Sequence, residues 1–327
     1  MTKEEHIGIV TGLADLVNFV GAACCRTGRT FDNLPPLKTI LFGRDISLPM
    51  DLKAQFRQTL QDGFPNIELI SNDRDEDWRV SEEGFSAPPR KMVQRIVYGN
   101  SIHKPPHLDF YASLTPDEFV FIDNGLSSYA EHHFNCRAEF ARRGLPNPNL
   151  ACLSLGASLP VPAYLSDFTA TNLTLHELGP VYRQIRGSAA GHPTSGGLPA
   201  IVLIGTSLYR TKRITWEQER DIYLAAIKSF HAEGIRDILF KSHPRASDRP
   251  LLTADDNIEV FDSSLPVEAF ADPSASGVAY SISSTSLFTL RDYFGWQTYR
   301  LETPAARALL DRSPHLGLVS HVPAARF

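Results

Sequence analysis

The feature that most restricts this chain is a short apolar run that stops on a glycine and passes straight into an apolar helical segment. Ile7 to Thr11 ends at Gly12, and Leu13 to Cys25 then carries apolar residues at helical spacing. A strand, a tight turn and a helix open an α/β sheet. Thr39 to Phe42, Ile67 to Ile70, Arg95 to Tyr98 and Phe119 to Ile122 are further short apolar runs bounded by Gly, Asn, Asp or Pro, with a helix-like segment, Met50 to Leu60, between the first two. Strands separated by helices and longer loops predict a mostly parallel sheet.

From Arg186 to Pro199 the hydrophobic period disappears into flexible and helix-breaking residues, which predicts an interdomain linker over 186–199. The alternation then restarts with Ala200 to Ile204 and Gly205. A helix follows, opened by the capping-box pattern Thr215-Trp216-Glu217-Gln218, lined by Tyr223, Leu224, Ile227 and Phe230, and closed before Gly234. Ile235 to Lys241 and Gly277 to Ser281 read as strands and Leu287 to Phe294 as a helix, with no sequence repeat between the halves. Two α/β domains facing each other across a cleft, residues 1–185 and 200–327, are the simplest architecture. The charged run Asn72 to Asp77 reads as a solvated turn.

A length of 327 residues agrees with two domains, and 43% apolar with 21% charged residues excludes a disordered or fibrous chain. The net charge of -5 supplies no positive field for a phosphate backbone, so no nucleic-acid partner is expected. Four cysteines without a Cys-x-x-Cys spacing fit a reducing cytoplasm. The Ile7 to Cys25 stretch carries Asp15 and Asn18 and follows Glu4 and Glu5, unlike a signal peptide or a membrane span. Membrane association is therefore expected to be peripheral or through a partner.

Ligands of open α/β sheets bind beyond the carboxyl ends of strands, and three such junctions are rich in polar residues. Phe119 to Ile122 runs into Asp123-Asn124-Gly125-Leu126-Ser127-Ser128-Tyr129. A strand-tip Asp123 aimed into a cleft is a candidate general base, with Gly125 admitting substrate to the backbone; the alternative is a plain Asn-Gly turn. The second junction ends in Lys241-Ser242-His243-Pro244-Arg245. Pro244 fixes the chain direction, and His243 flanked by Lys241 and Arg245 suits a phosphate whose leaving oxygen takes a proton; the alternative is a surface histidine.

The third junction runs from Tyr280 into Ser281-Ile282-Ser283-Ser284-Thr285-Ser286 at a helix start. One hydroxyl caps a helix, and the excess points to a phosphate; the alternative is plain helix capping. His132 and His133 follow Tyr129 closely enough to share a helix, but adjacent histidines diverge and form no metal pair. No metal is expected. Walker, Gly-x-Gly-x-x-Gly, His-Glu-x-x-His and Gly-x-Ser-x-Gly sequences do not occur, so no cofactor is expected either. Cys24-Cys25 lies in an apolar helical run and reads as packed.

In the order acidic-Gly, His-Pro, Ser-Ser/Thr, these junctions resemble the motifs of bacterial sialyltransferases and polysialyltransferases of the two-domain GT-B fold. The string from Asp123 to Tyr129 is similar to the acidic-Gly-Leu-x-Ser-Tyr string of the polysialyltransferase type, and Leu265-Pro266-Val267-Glu268 resembles a segment preceding its serine motif. The likeness lies in order and spacing more than in residue identity.

The resemblance implies two Rossmann-like domains facing a central cleft, an acceptor side in the first and a CMP side in the second. It further implies inverting, metal-independent transfer of a nonulosonic acid, sialic acid or a relative, from a CMP-activated donor to a glycan or glycolipid hydroxyl. This would take place in the cytoplasm, at the inner face of the membrane where contact is peripheral. His243 would assist departure of the CMP phosphate, Ser283, Ser284 and Thr285 would bond its oxygens, and Glu268 would reach the ribose or cytosine side. The family has acidic residues at both positions before the Gly, the second being the expected base; here the second is Asn124, which takes no proton at neutral pH. Asp123 by a change of register, or His132 or His133, would then serve as base. The competing readings are a nucleotide-dependent transferase of CDP-glycerol type and a non-catalytic nucleotide- or glycan-binding member.

Overall fold

The computed structural model describes residues 3–41, 50–70, 93–188, 201–243, 246, 249–261, 265–271 and 274–327. The chain divides into two compact units, Met1–Gly156 with Pro160–Ser188, and Ala157–Leu159 with Ala189–Phe327. Each is built on a parallel sheet.

The first unit contains β1 (Lys3–Val10), α1 (Leu13–Thr27), β2 (Leu37–Leu41), α2 (Met50–Gly63), β3 (Ile67–Ile70), β4 (Val93–Gly99), α3 (Pro105–Ser113), β5 (Glu118–Ile122), α4 (Cys136–Arg142), β6 (Leu150–Leu153), β7 (Thr169–Asn172) and α5 (Leu175–Ser188). Its seven strands lie in the order β3-β2-β1-β4-β5-β6-β7, every pair parallel. Strands buried on both faces lose the in-out alternation, which is why the central ones read as continuous apolar runs. The apolar segment after Gly12 is a core helix: from Leu13 to Cys24 almost every residue of α1 is buried, Asp15 and Asn18 included. Arg26 at its end forks onto Glu118 of β5 at 2.9 and 2.7 Å. Cys24, Cys136 and Cys152 are buried and Cys25 half-buried, all as free thiols.

The second unit contains β8 (Ile201–Ile204), α6 (Trp216–Ala232), β9 (Ile238–Lys241), β10 (Glu259–Phe261), β11 (Val278–Ser281), α7 (Ser286–Phe294), β12 (Gln297–Glu302), α8 (Pro304–Asp311), α9 (Pro314–Gly317) and β13 (Ala324–Arg326). Its strand order is β10-β9-β8-β11-β12-β13, again parallel throughout. The capping box on α6 is formed in both directions, Thr215 Oγ1 accepting from the Gln218 N–H and Gln218 Oε1 accepting from the Thr215 N–H.

In both sheets the order reverses at the first strand, between β1 and β4 and between β8 and β11. Connections leave these strand ends toward opposite faces, so a crevice opens at each reversal. One expectation shifts. Arg186, Gly187 and Ser188 belong to α5 rather than to a linker, and residues 189–200 lie outside the described residues, as do Asn72 to Asp77. Among the described residues no helix is long and apolar enough to cross a membrane.

Candidate functional site

At the carboxyl edge of the first sheet the chain leaves β5 through Asp123. The structure turns this side chain inward: Asp123 is 0% exposed. Its carboxylate accepts from the Tyr129 hydroxyl at 2.7 Å, the Ser154 N–H and hydroxyl at 2.9 Å, the Leu155 N–H at 3.3 Å and Asn18 Nδ2 at 3.1 Å. Burial pushes the carboxyl up to about 6 against these donors, which pull it down. The expected picture of a strand-tip carboxylate aimed into a cleft is therefore corrected; Asp123 ties the tips of β5 and β6 to α1.

Asn124, half-buried, occupies the outer position. Its Oδ1 accepts from the hydroxyls of Ser127 and Ser128, both at 2.9 Å, while its own N–H donates to Ser128 Oγ at 3.0 Å. This closes the turn that the Asn-Gly pair announced. Gly125 has a φ of 90°, a conformation side chains rarely adopt, so a glycine is required there. Asn124 Nδ2 reaches Ser101 Oγ at 3.3 Å, beyond the end of β4, where the buried Asn100 donates to Asp15 at 3.4 Å.

His132 and His133 do not share a helix; residues 131–135 are irregular, and His133 is exposed. His132 instead stacks on His103, with ring centroids 3.7 Å apart and planes at 10°. His132 Nε2 lies 3.1 Å from the Ser127 carbonyl oxygen, and the Tyr164 ring stands edge-on to it at 5.1 Å. Reading the sequence missed His103, Ser101, Ser154 and Tyr164. His103 had a signal in retrospect, standing between an apolar run and the helix-starting pair Pro105-Pro106.

At the carboxyl edge of the second sheet, three neighbouring strands end in polar residues. After β8 come Gly205 and the buried Thr206, whose hydroxyl donates to Glu219 of α6 at 2.5 Å. After β9 comes Ser242, whose N–H bonds the Phe261 carbonyl, and then the half-buried His243. Gly205 lets the two tips approach: its N–H donates to the Lys241 carbonyl at 2.8 Å, and a Cβ there would lie 3.2 Å from the His243 nitrogen. Lys241 departs from expectation. It is 4% exposed, and its ammonium donates to the Ser242 carbonyl at 2.7 Å and lies over the Phe261 ring at 5.7 Å, so the charge braces the strand tip. Pro244 and Arg245 lie outside the described residues.

After β11 the hydroxyl run divides its work. Ser281 donates to the Ile204 carbonyl at 2.7 Å, joining β11 to β8 across the reversal. Ser284 Oγ accepts from the Ser286 N–H at 3.2 Å and caps α7, while Thr285 is the N-terminal flanking residue of that helix. Ser283 Oγ is buried with no hydrogen-bond partner among the described residues. Glu268 is buried and accepts from the Thr289 hydroxyl, binding its turn to α7. No group of three His, Cys, Asp or Glu side chains is placed to hold a metal ion among the described residues.

A family model described as alpha-2,8-polysialyltransferase (POLYST) matches residues 65–302, more than two thirds of the chain. The match runs from before β3 through β12 and takes in all three strand-end junctions. No curated protein matches the chain.

Proposed function

The chain belongs to the alpha-2,8-polysialyltransferase family and is a sialyltransferase-like glycosyltransferase, and from that premise we propose the following reaction. A nonulosonic acid, sialic acid or a relative, passes from a CMP-activated donor to a glycan or glycolipid hydroxyl with inversion and without a metal. The CMP phosphate is held in the second unit and the acceptor by the first.

The observation that carries the donor assignment is Ser283. A buried hydroxyl without a partner costs free energy unless a ligand completes it, and this one precedes α7 at the strand-order reversal between β8 and β11. The positive end of the α7 dipole adds a field that favours an anion, its first-turn N–H groups being engaged by Ser284 and Thr285. His243, presented by the neighbouring strand, donates to the phosphate oxygen as it departs, which lowers the barrier where negative charge develops. Lys241 braces the tip of β9, Glu268 binds its turn to α7, and Ser284 orders the start of α7. In the first unit Asp123 is a positioning residue beneath the Asn124 turn.

Inversion follows if the acceptor oxygen attacks directly, without a covalent enzyme intermediate. The reaction needs a cytidine nucleotide, so it is placed on the cytoplasmic side, with membrane contact through the acceptor. The test follows release of CMP from CMP-sialic acid with and without an oligosialic acceptor, in EDTA, beside thermal shifts with CMP, CDP and UMP. Turnover in EDTA and stabilisation by CMP are expected. Stabilisation by CDP or UMP but not CMP sinks the donor assignment and favours the CDP-glycerol type. Asn124 at the position of the family's base supports one further reading, a non-catalytic member; CMP binding without any donor turnover would select it.

A further inference from the structure

Replacing the family's second acidic residue by Asn124 leaves the reaction without the expected proton acceptor, and Asp123 is sealed beneath the turn. A base must be within reach of the hydroxyl it deprotonates, which excludes a fully enclosed carboxylate in this conformation. We propose that His132 takes the proton of the acceptor hydroxyl, and that Asn124 has become the residue that positions it; this rests on the glycosyl-transfer reading above.

The geometry selects one nitrogen. A carbonyl oxygen only accepts, so the 3.1 Å contact to Ser127 places the ring hydrogen of neutral His132 on Nε2. The lone pair then sits on Nδ1. The Ser127 carbonyl is itself fixed, because Asn124 Oδ1 holds the hydroxyls of Ser127 and Ser128 and the Tyr164 hydroxyl donates to the Ser128 carbonyl at 2.7 Å. A histidine whose tautomer is set by an orienting acceptor has the arrangement that general bases in acyl transfer use.

His103 completes the arrangement. Its ring covers one face of His132 at 3.7 Å, and its buried Nδ1 has no hydrogen-bond partner among the described residues. Burial, reinforced by His132, Lys104 and His107, lowers His103 to about 4, so it stays neutral at working pH. A neutral ring on this face places no second cation beside the proton that His132 takes up. Tyr164 fixes the imidazole from the side.

The step balances. The acceptor oxygen forms the bond to the anomeric carbon of the nonulosonate, and the bond from that carbon to the CMP phosphate oxygen breaks, its electron pair leaving on CMP. The hydroxyl proton passes to His132 Nδ1 and from there to solvent.

The test compares wild type, His132→Gln and His132→Ala for CMP release from CMP-sialic acid with an oligosialic acceptor. His132→Gln keeps an N–H for the Ser127 carbonyl but has no basic nitrogen. Its turnover is expected to fall by about 10²-fold or more, with the CMP thermal shift unchanged. Added imidazole is expected to restore part of the activity of His132→Ala. A His132→Gln enzyme within about threefold of wild type overturns the proposal, as does a loss that imidazole does not relieve or that is accompanied by loss of the CMP shift. A wild-type protein with no donor turnover overturns the reading above and the proton route with it; wild-type turnover with active His132→Gln overturns the proton route alone.

Discussion

The Tyr129 hydroxyl donates to the Asp123 carboxylate at 2.7 Å and at the same time accepts the Leu155 N–H at 2.9 Å. One phenol thus joins the exits of β5 and β6. The tip of β5 is a closed polar network in which a single carboxylate organises donors from three segments, α1, the turn ending at Tyr129 and the exit of β6, so its removal strands several buried groups at once.

Asp123→Ala leaves the Ser154 and Leu155 N–H groups and Asn18 Nδ2 without their carboxylate acceptor. The expected cost is about 3–5 kcal/mol of unfolding free energy, against about 1–3 kcal/mol for Tyr129→Phe, read by urea denaturation. A loss of less than about 1 kcal/mol for Asp123→Ala contradicts the network.

The same carboxyl predicts the pH dependence of stability. Its folded value, pushed up to about 6, lies above the ordinary 3.8, so between the two the folded protein holds the extra proton. Its contribution is fully present below pH 3.8 and is lost as pH rises through about 6, with a slope of at most about 1.4 kcal/mol per pH unit. Urea titrations from pH 4 to 7 are expected to show this slope in wild type and lack it in Asp123→Asn; equal slopes in both proteins remove the assignment.

Ser283→Ala separates binding from folding. The buried hydroxyl has no hydrogen-bond partner among the described residues, so removing it is expected to raise the unfolding free energy of the ligand-free protein by about 1–2 kcal/mol or leave it unchanged, and not to lower it. If it meets the CMP phosphate, CMP affinity falls by about tenfold or more in calorimetry. Unchanged affinity detaches Ser283 from the donor.

Gly205→Ala tests how closely β8 and β9 must meet. The added methyl would lie 2.9 Å from Phe240 Cζ, 3.1 Å from the Lys241 carbonyl oxygen and 3.2 Å from the His243 nitrogen. Relief requires the His243 tip to move, so a loss of about 1–3 kcal/mol in stability is expected together with a lowered kcat. Full turnover in a destabilised Gly205→Ala enzyme shows that His243 need not hold this position.

His243→Ala is expected to lower kcat by about 10²-fold or more while the CMP thermal shift survives, because the side chain acts on the departing oxygen. Single-turnover measurement of CMP release distinguishes this from slow product exit. A kcat unchanged by the substitution removes His243 from the chemistry.

The linear order of residues was enough to announce two parallel α/β units, because strands buried on both faces appear as uninterrupted apolar runs such as Ile201 to Ile204. The capping box of α6, the Asn-Gly turn and the three polar strand ends were likewise legible, being local in the chain. The edge strands β7 and β13 were not: Thr169 to Asn172 is mostly exposed, and Ala324 to Arg326 has too little burial to leave an apolar signature. The roles of the polar residues also lay beyond local reading. Asp123 and Asn124 are adjacent and differ by one atom type, yet the strand's alternation sends one inward to Asn18 and Ser154 and leaves the other at the turn. Lys241 reads as a free cation until Phe261 and the Ser242 carbonyl enclose it. The pairing of His103 with His132 joins residues 29 positions apart through the packing of neighbouring strand ends. Local chemistry chose the elements; long-range packing decided which polar groups are spent on the fold and which remain for a substrate.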